Sequence, residues 1–172
     1  MITKGLSVFA VAAAGMIVTC AWAGEAPRIT ATGEGAAVLG YLVSRHSPLV
    51  SPADRTAISQ DFNGAPLDGK PRTHVVTARS VDCRARAPGF GRAAPRCAID
   101  FGLARLVEFQ GPDSLRLYSA LGKVGAEDDG GMGHIERRIV DLTCVVNDAE
   151  AQGTPATGDD VAGFSCAFHA DD

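Results

Sequence analysis

The residues in this chain whose types could carry chemistry or binding are four histidines with the carboxylates near them, and one arginine-rich loop. His46, His74, His134 and His169 are far apart in sequence, and no two of them stand at metal-binding spacing. His134 closes the loop Glu127-Asp-Asp-Gly-Gly-Met-Gly-His134, where Asp128 or Asp129 would make it a general base. Gly130 and Met132 stand where a calcium loop needs side-chain oxygens, so this stretch reads as a solvated connection. His169-Ala-Asp171-Asp172 has metal-ligand residue types but reads as a frayed acidic terminus. Neither place is expected to hold a metal, and nothing calls for a cofactor.

The arginine loop is the stronger binding candidate. Arg84, Arg86, Arg92 and Arg96 surround Phe90 in a segment broken by glycine and proline and flanked by Cys83 and Cys97. Planar guanidinium forks suit carboxylates, and an exposed aromatic supplies an apolar anchor. The expected partner is an acidic protein or glycan surface. The plainer alternative is that the arginines keep the loop solvated while Phe90 folds back onto the core.

Known catalytic patterns are missing. Gly89-Phe-Gly-Arg-Ala-Ala94 matches a dinucleotide fingerprint in letters, but Pro95 and Cys97 lead into a strand where that fingerprint needs a helix. The chain has no G-x-S-x-G, P-loop, H-E-x-x-H or C-x-x-C. A net charge of -4 argues against nucleic acid as a partner.

Residues 1–23 read as an export signal. Lys4 is followed by an apolar run from Leu6 to Val18 and by Ala21-Trp22-Ala23, an A-x-A cleavage pattern. The run is short for a membrane span. Lipid attachment at Cys20 is the lesser alternative, because Ile17-Val18-Thr19 lacks the usual preceding pattern. Cleavage before Gly24 removes Lys4 and no acid, which takes the net charge from -4 to -5. The mature chain is expected in a periplasmic or extracellular space. It keeps Cys83, Cys97, Cys144 and Cys166, an even set in an oxidising compartment.

These features need a scaffold. A single domain of 172 residues less the signal, with 46% hydrophobic content, can bury an ordinary core. The clearest element is a helix within Gln110–Gly125. Pro112 and Asp113 suit its start, Leu117, Tyr118, Leu121 and Val124 line one face, and Lys123 and Gly125 suit its end. Residues 24–35 read as a flexible lead-in. Residues 36–64 read as a helical hairpin, its second helix opened by Ser51-Pro52-Ala53-Asp54 and carrying Ile58 and Phe62 one turn apart. Residues 65–72 form a loop.

Over residues 73–169 the period changes to two. Val75, Val81 and Cys83 share one expected strand face, as do Cys97, Ile99 and Phe101. Leu103, Val107 and Phe109 suggest a third strand. Val140, Leu142, Cys144 and Val146 suggest a fourth, and Phe164, Cys166 and Phe168 a fifth.

The predicted architecture is α+β: an antiparallel sheet of about four to five strands packed by the central helix, with the N-terminal αα-hairpin flanking and two disulfides. Cys83–Cys97 and Cys144–Cys166 join consecutive strands and are the favoured pairs, with a crossed pairing such as Cys83–Cys166 left open. The expected function is that of a small exported binding, accessory or inhibitor-like protein of the cell envelope without catalytic chemistry. The rival reading is a secreted hydrolase centred on His134 or His169.

Overall fold

The computed structural model describes residues 27–63, 73–86, 94–129, 133–147 and 164–170. In chain order these form β1 (Arg28–Thr32), α1 (Gly33–His46), α2 (Pro52–Phe62), β2 (Thr73–Arg86), β3 (Arg96–Asp100), β4 (Leu106–Phe109), α3 (Pro112–Lys123), β5 (Glu127–Asp129), β6 (His134–Asn147) and β7 (Phe164–Ala170). The fold is α+β. Six strands make an antiparallel sheet in the order β1-β7-β6-β2-β3-β4. The short β5 pairs with residues 136–138 of β6, continuing the flank that β7 leaves at Ile139.

The sheet therefore exceeds the expected four to five strands. β1 is the strand the sequence hides, lying inside the supposed lead-in. Only Ile29 and Ala31 turn partly inward between exposed Arg28, Thr30 and Thr32, too brief an alternation to stand out. Its register with β7, from Arg28 opposite His169 to Thr32 opposite Ser165, supplies the order. Likewise Glu127–Asp129, expected within a connecting loop, is strand β5.

A second difference concerns which residues face the core. On β2 the buried residues are Val76 and Ala78, then Val81 and Cys83; on β6 they are Ile139, then Leu142 and Cys144. Each strand takes a three-residue step at the same level, so the expected alternation slips by one. Val75, expected inside, is 58% exposed, and Ile139 rather than Val140 is fully buried. The β6–β7 register shifts between Val140 and Thr143, and Asp141 there has a φ of 52°, the geometry of a bulge that re-aims side chains.

The helices all lie on one side of the sheet. Leu117 and Leu121 of α3 are fully buried and Val124 nearly so, as the stripe predicts. The helix ends in a Schellman turn: Ala126 N–H donates to Leu121 O and Gly125 N–H to Gly122 O. Gly125 takes a φ of 86° that suits glycine there. Arg137 of β6 locks α3 down, its Nη1 donating to Tyr118 O at 3.0 Å and its guanidinium 4.3 Å from the Tyr118 ring centre.

Covering the sheet is not the work of α3 alone. α1 lies beside it and buries Ala36, Ala37, Leu39, Leu42 and Val43 completely. Gly40 brings its backbone down onto Phe164 and the Cys144 Cβ. α2 packs on α1 through Ile58, while Phe62 stacks on Tyr41 and meets Phe164 edge-on. Its start is the expected one: Ser51 Oγ accepts from Asp54 N–H at 3.1 Å and donates to Asp54 Oδ2 at 2.6 Å.

Both favoured disulfides are present. Cys83–Cys97 and Cys144–Cys166 join residues directly opposite on neighbouring strands, with Cα atoms 4.1 and 4.0 Å apart. The first lies beneath the start of α3, with Cys97 Sγ 3.3 Å from Ser114 O. The second lies beneath the start of α1, with Cys166 Sγ 3.4 Å from Ala36 O. Each bridge thus ties two strands where a covering helix lands.

The β3–β4 connection is tight. Gly102, Leu103 and Ala104 all have positive φ, and Gly102 N–H donates to Asp100 Oδ1 at 2.7 Å. Leu103, expected as part of a strand, stands 89% exposed at this turn, because β4 begins only at Leu106.

Candidate functional site

The residues singled out by sequence do not come together as one site. Arg84 and Arg96 face each other across β2 and β3, on the sheet face away from the helices. Arg84 is engaged with Asp82 Oδ2 at 3.3 Å and Glu136 Oε1 at 3.2 Å. Asp82 first and then Glu136 hold its guanidinium more firmly charged than usual. At 63% exposure such pairs contribute little stability, but they offset the charge offered to a partner. Arg86 ends β2 and Arg96 opens β3, both exposed. Phe90 and Arg92 lie outside the described residues.

The histidines expected to anchor a hydrolytic site are also apart. His134 opens β6 opposite Arg86, whereas His169 on β7 pairs with Val140. Six strand residues separate those positions along β6, roughly 20 Å. Asp171 and Asp172 lie outside the described residues. Among the described residues no cluster of three or more His, Cys, Asp or Glu could hold a metal ion.

Two other histidines do meet carboxylates. His74 Nδ1 lies 3.8 Å from Asp54 Oδ1, and its Nε2 4.0 Å from Asp61 Oδ2. The two acids flank opposite ring nitrogens, an arrangement that does not converge on one metal ion. Ser51, the hydroxyl nearest in this chain of contacts, is already used as the α2 cap.

His46, in the last turn of α1, stacks on Phe109 with ring centres 4.0 Å apart. Its Nε2 is 3.3 Å from Asp113 Oδ2, and Arg45 Nε is 3.4 Å from the same oxygen. The His46 contact is close enough for charge attraction but lacks hydrogen-bond geometry. Burial against Phe109 lowers the His46 pKa from 6.5, and Asp113 only partly restores it. The folded state therefore binds this proton less readily than the unfolded chain. Its share of stability is complete above about pH 6.5 and is lost as pH falls from there through the lowered folded value. Urea midpoints measured at about pH 7.5 and about pH 5.5 should fall further for the native chain than for His46→Gln.

Beside this group lies the most promising recognition surface. Tyr41, Ser44 and Arg45 of α1 face Arg55, Thr56, Ser59 and Gln60 of α2 across a depression of about 290 Å³. Tyr41 and Phe62 are stacked at 4.3 Å and 6° between ring planes, forming a rigid aromatic pair. Arg116 reaches the same pair from α3, 5.9 Å from the Tyr41 ring centre and 5.7 Å from that of Phe62.

The depression is strongly donating. Arg45 Nη1 lies 3.4 Å from Tyr41 Oη, and Arg55 Nη2 donates to Val50 O at 2.9 Å, which fixes the fork. Arg55 Nε is buried without a hydrogen-bond partner among the described residues. Arg45 and Arg55 thus line the depression beside Tyr41, while Arg116 stands outside that lining against the Tyr41–Phe62 pair, and Asp113 on Arg45 is a nearby acid. Sequence reading passed over them because Arg45, Arg55 and Arg116 sit on three helices and each resembles an ordinary solvated charge. The available signal was Tyr41 and Arg45 at i and i+4.

Against protein-family models, curated proteins and solved structures, the chain finds no match. The arrangement of side chains is therefore what bears on function.

Proposed function

We propose that this chain is an exported, disulfide-tied binding or accessory protein that receives an acidic group of its partner in the depression between α1 and α2. The carrying observation is that Arg45 and Arg55 line the depression beside Tyr41, with Arg116 against the Tyr41–Phe62 pair, in a chain of net charge -4. Arginine forks recognise carboxylates and related anions in two-pronged fashion, and desolvation beside an aromatic strengthens that contact. Export is supported by the leader pattern of residues 1–23 and by two disulfides, which persist in oxidising compartments. Among the described residues no helix is long and apolar enough to cross a membrane.

The arginines of β2 and β3 are a second, weaker surface, because Asp82 and Glu136 already engage Arg84. Calorimetric titration of the mature protein with citrate separates the two. Arg45→Gln combined with Arg55→Gln, the two arginines that line the depression, should lower citrate affinity by at least about tenfold, since each charge-assisted contact is worth about 1.5–3 kcal/mol. Arg86→Gln combined with Arg96→Gln should leave it unchanged. The opposite ranking would move the site to the sheet.

A further inference from the structure

We infer that the acidic group received between α1 and α2 belongs to a sugar, a pyranose bearing a carboxylate, rather than to an acidic peptide. The inference rests on the binding role assigned above and concerns what the rest of the depression requires. A site for charge alone needs only donors, and the guanidinium groups supply those. The lining also holds acceptors. Thr56 Oγ1, on the exposed side of α2, donates to Pro52 O at 3.0 Å and so spends its single proton inside its own helix, whereas Ser44 Oγ, which donates to Tyr41 O at 2.8 Å, is almost wholly buried. Toward the depression the Thr56 oxygen is placed to accept. The amide of Gln60 adds one more acceptor beside its donors.

A ligand that satisfies this lining carries hydrogen-bond donors as well as negative charge. Citrate carries a single hydroxyl among its carboxylates, and an acidic peptide offers backbone N–H donors set apart from its side-chain carboxylates by flexible carbons. An acidic sugar supplies both. It also presents a flat C–H face, which suits Tyr41, whose ring is held in place by the stack with Phe62. The volume of about 290 Å³ lies at the small end of ligand sites, in keeping with one or two sugar rings rather than a folded surface.

The test is calorimetric titration of the mature protein with digalacturonic acid, a hyaluronan tetrasaccharide, citrate, a tri-glutamate peptide and maltose. At least one of the two acidic saccharides should bind about five- to tenfold more tightly than citrate or the peptide, and maltose should not bind. Thr56→Val, which removes an acceptor at an exposed position with almost no change of shape, should weaken the saccharide several-fold and citrate by distinctly less. Equal affinity for saccharide, citrate and peptide, with Thr56→Val silent, would overturn the sugar inference and leave the acidic-group role standing. Absence of binding by every anion would overturn both. Maltose binding as tightly as the acidic saccharides would show that the charge plays no part, again overturning both.

Discussion

Replacing Cys144 and Cys166 together by alanine should lower the free energy of unfolding by about 3 kcal/mol. The bridge closes a separation of 22 residues, and the loop-entropy relation gives about 3.4 kcal/mol for such a loop. Both sulfurs are fully buried beneath the start of α1, so truncation also leaves a small cavity at the sheet–helix contact. Removing Cys83–Cys97, with its separation of 14, should cost about 3.0 kcal/mol by the same relation. For a chain of this size either loss corresponds to roughly 6–12 °C in thermal midpoint. Calorimetry of the two double variants checks this. A loss below about 1 kcal/mol in each would mean that the bridges decorate a fold held by packing alone.

Gly40→Leu should also destabilise, although a helix ordinarily gains from losing a glycine. In an exposed helix interior the exchange of Gly for a good helix former stabilises by about 1 kcal/mol. Here a Cβ at position 40 would lie 2.8 Å from Phe164 Cδ1 and 3.3 Å from Cys144 Cβ. Phe164 is wedged by Phe62, and Cys144 is held by its disulfide, so neither can withdraw cheaply. Leucine adds three further carbons to that contact and must lift α1 from the sheet. Overpacking costs about 1–3 kcal/mol, occasionally more, and with both neighbours held this contact falls in the upper part of that range, above the propensity gain of about 1 kcal/mol. Gly40→Ala should show the same sign with a smaller loss. A denaturant midpoint that rises for either variant would contradict the close approach of α1 to β6 and β7.

Much of the scaffold is readable because local rules and packing agree there. Pro112, the Leu117–Leu121–Val124 stripe and Gly125 all specify the same helix, and α3 spans what they indicate. The disulfide partners are readable because each pair sits on the inward face of consecutive strands. Three features are hidden for identifiable reasons. No glycine or proline marks the step near Arg79–Ser80 and Val140–Asp141, so Val75 looks inward when Val76 is the buried residue. β1 is held by its partner β7 rather than by a pattern of its own. The candidate site draws Tyr41, Arg55 and Arg116 from three helices, and nothing in one helix announces its neighbour's arginine. The opposite error arises at Arg84, whose local run of positive charge conceals Asp82 beside it and Glu136 on the next strand.

The most direct test of the binding role is to map where an acidic ligand lands. Amide chemical shifts of the mature, disulfide-bonded protein should be followed as digalacturonic acid or citrate is added. Shifts clustered at Tyr41–Arg45, Arg55–Gln60 and Arg116 are the predicted result. Shifts confined to Arg84, Arg86 and Arg96, or none at concentrations that saturate other acid-binding sites, would contradict it.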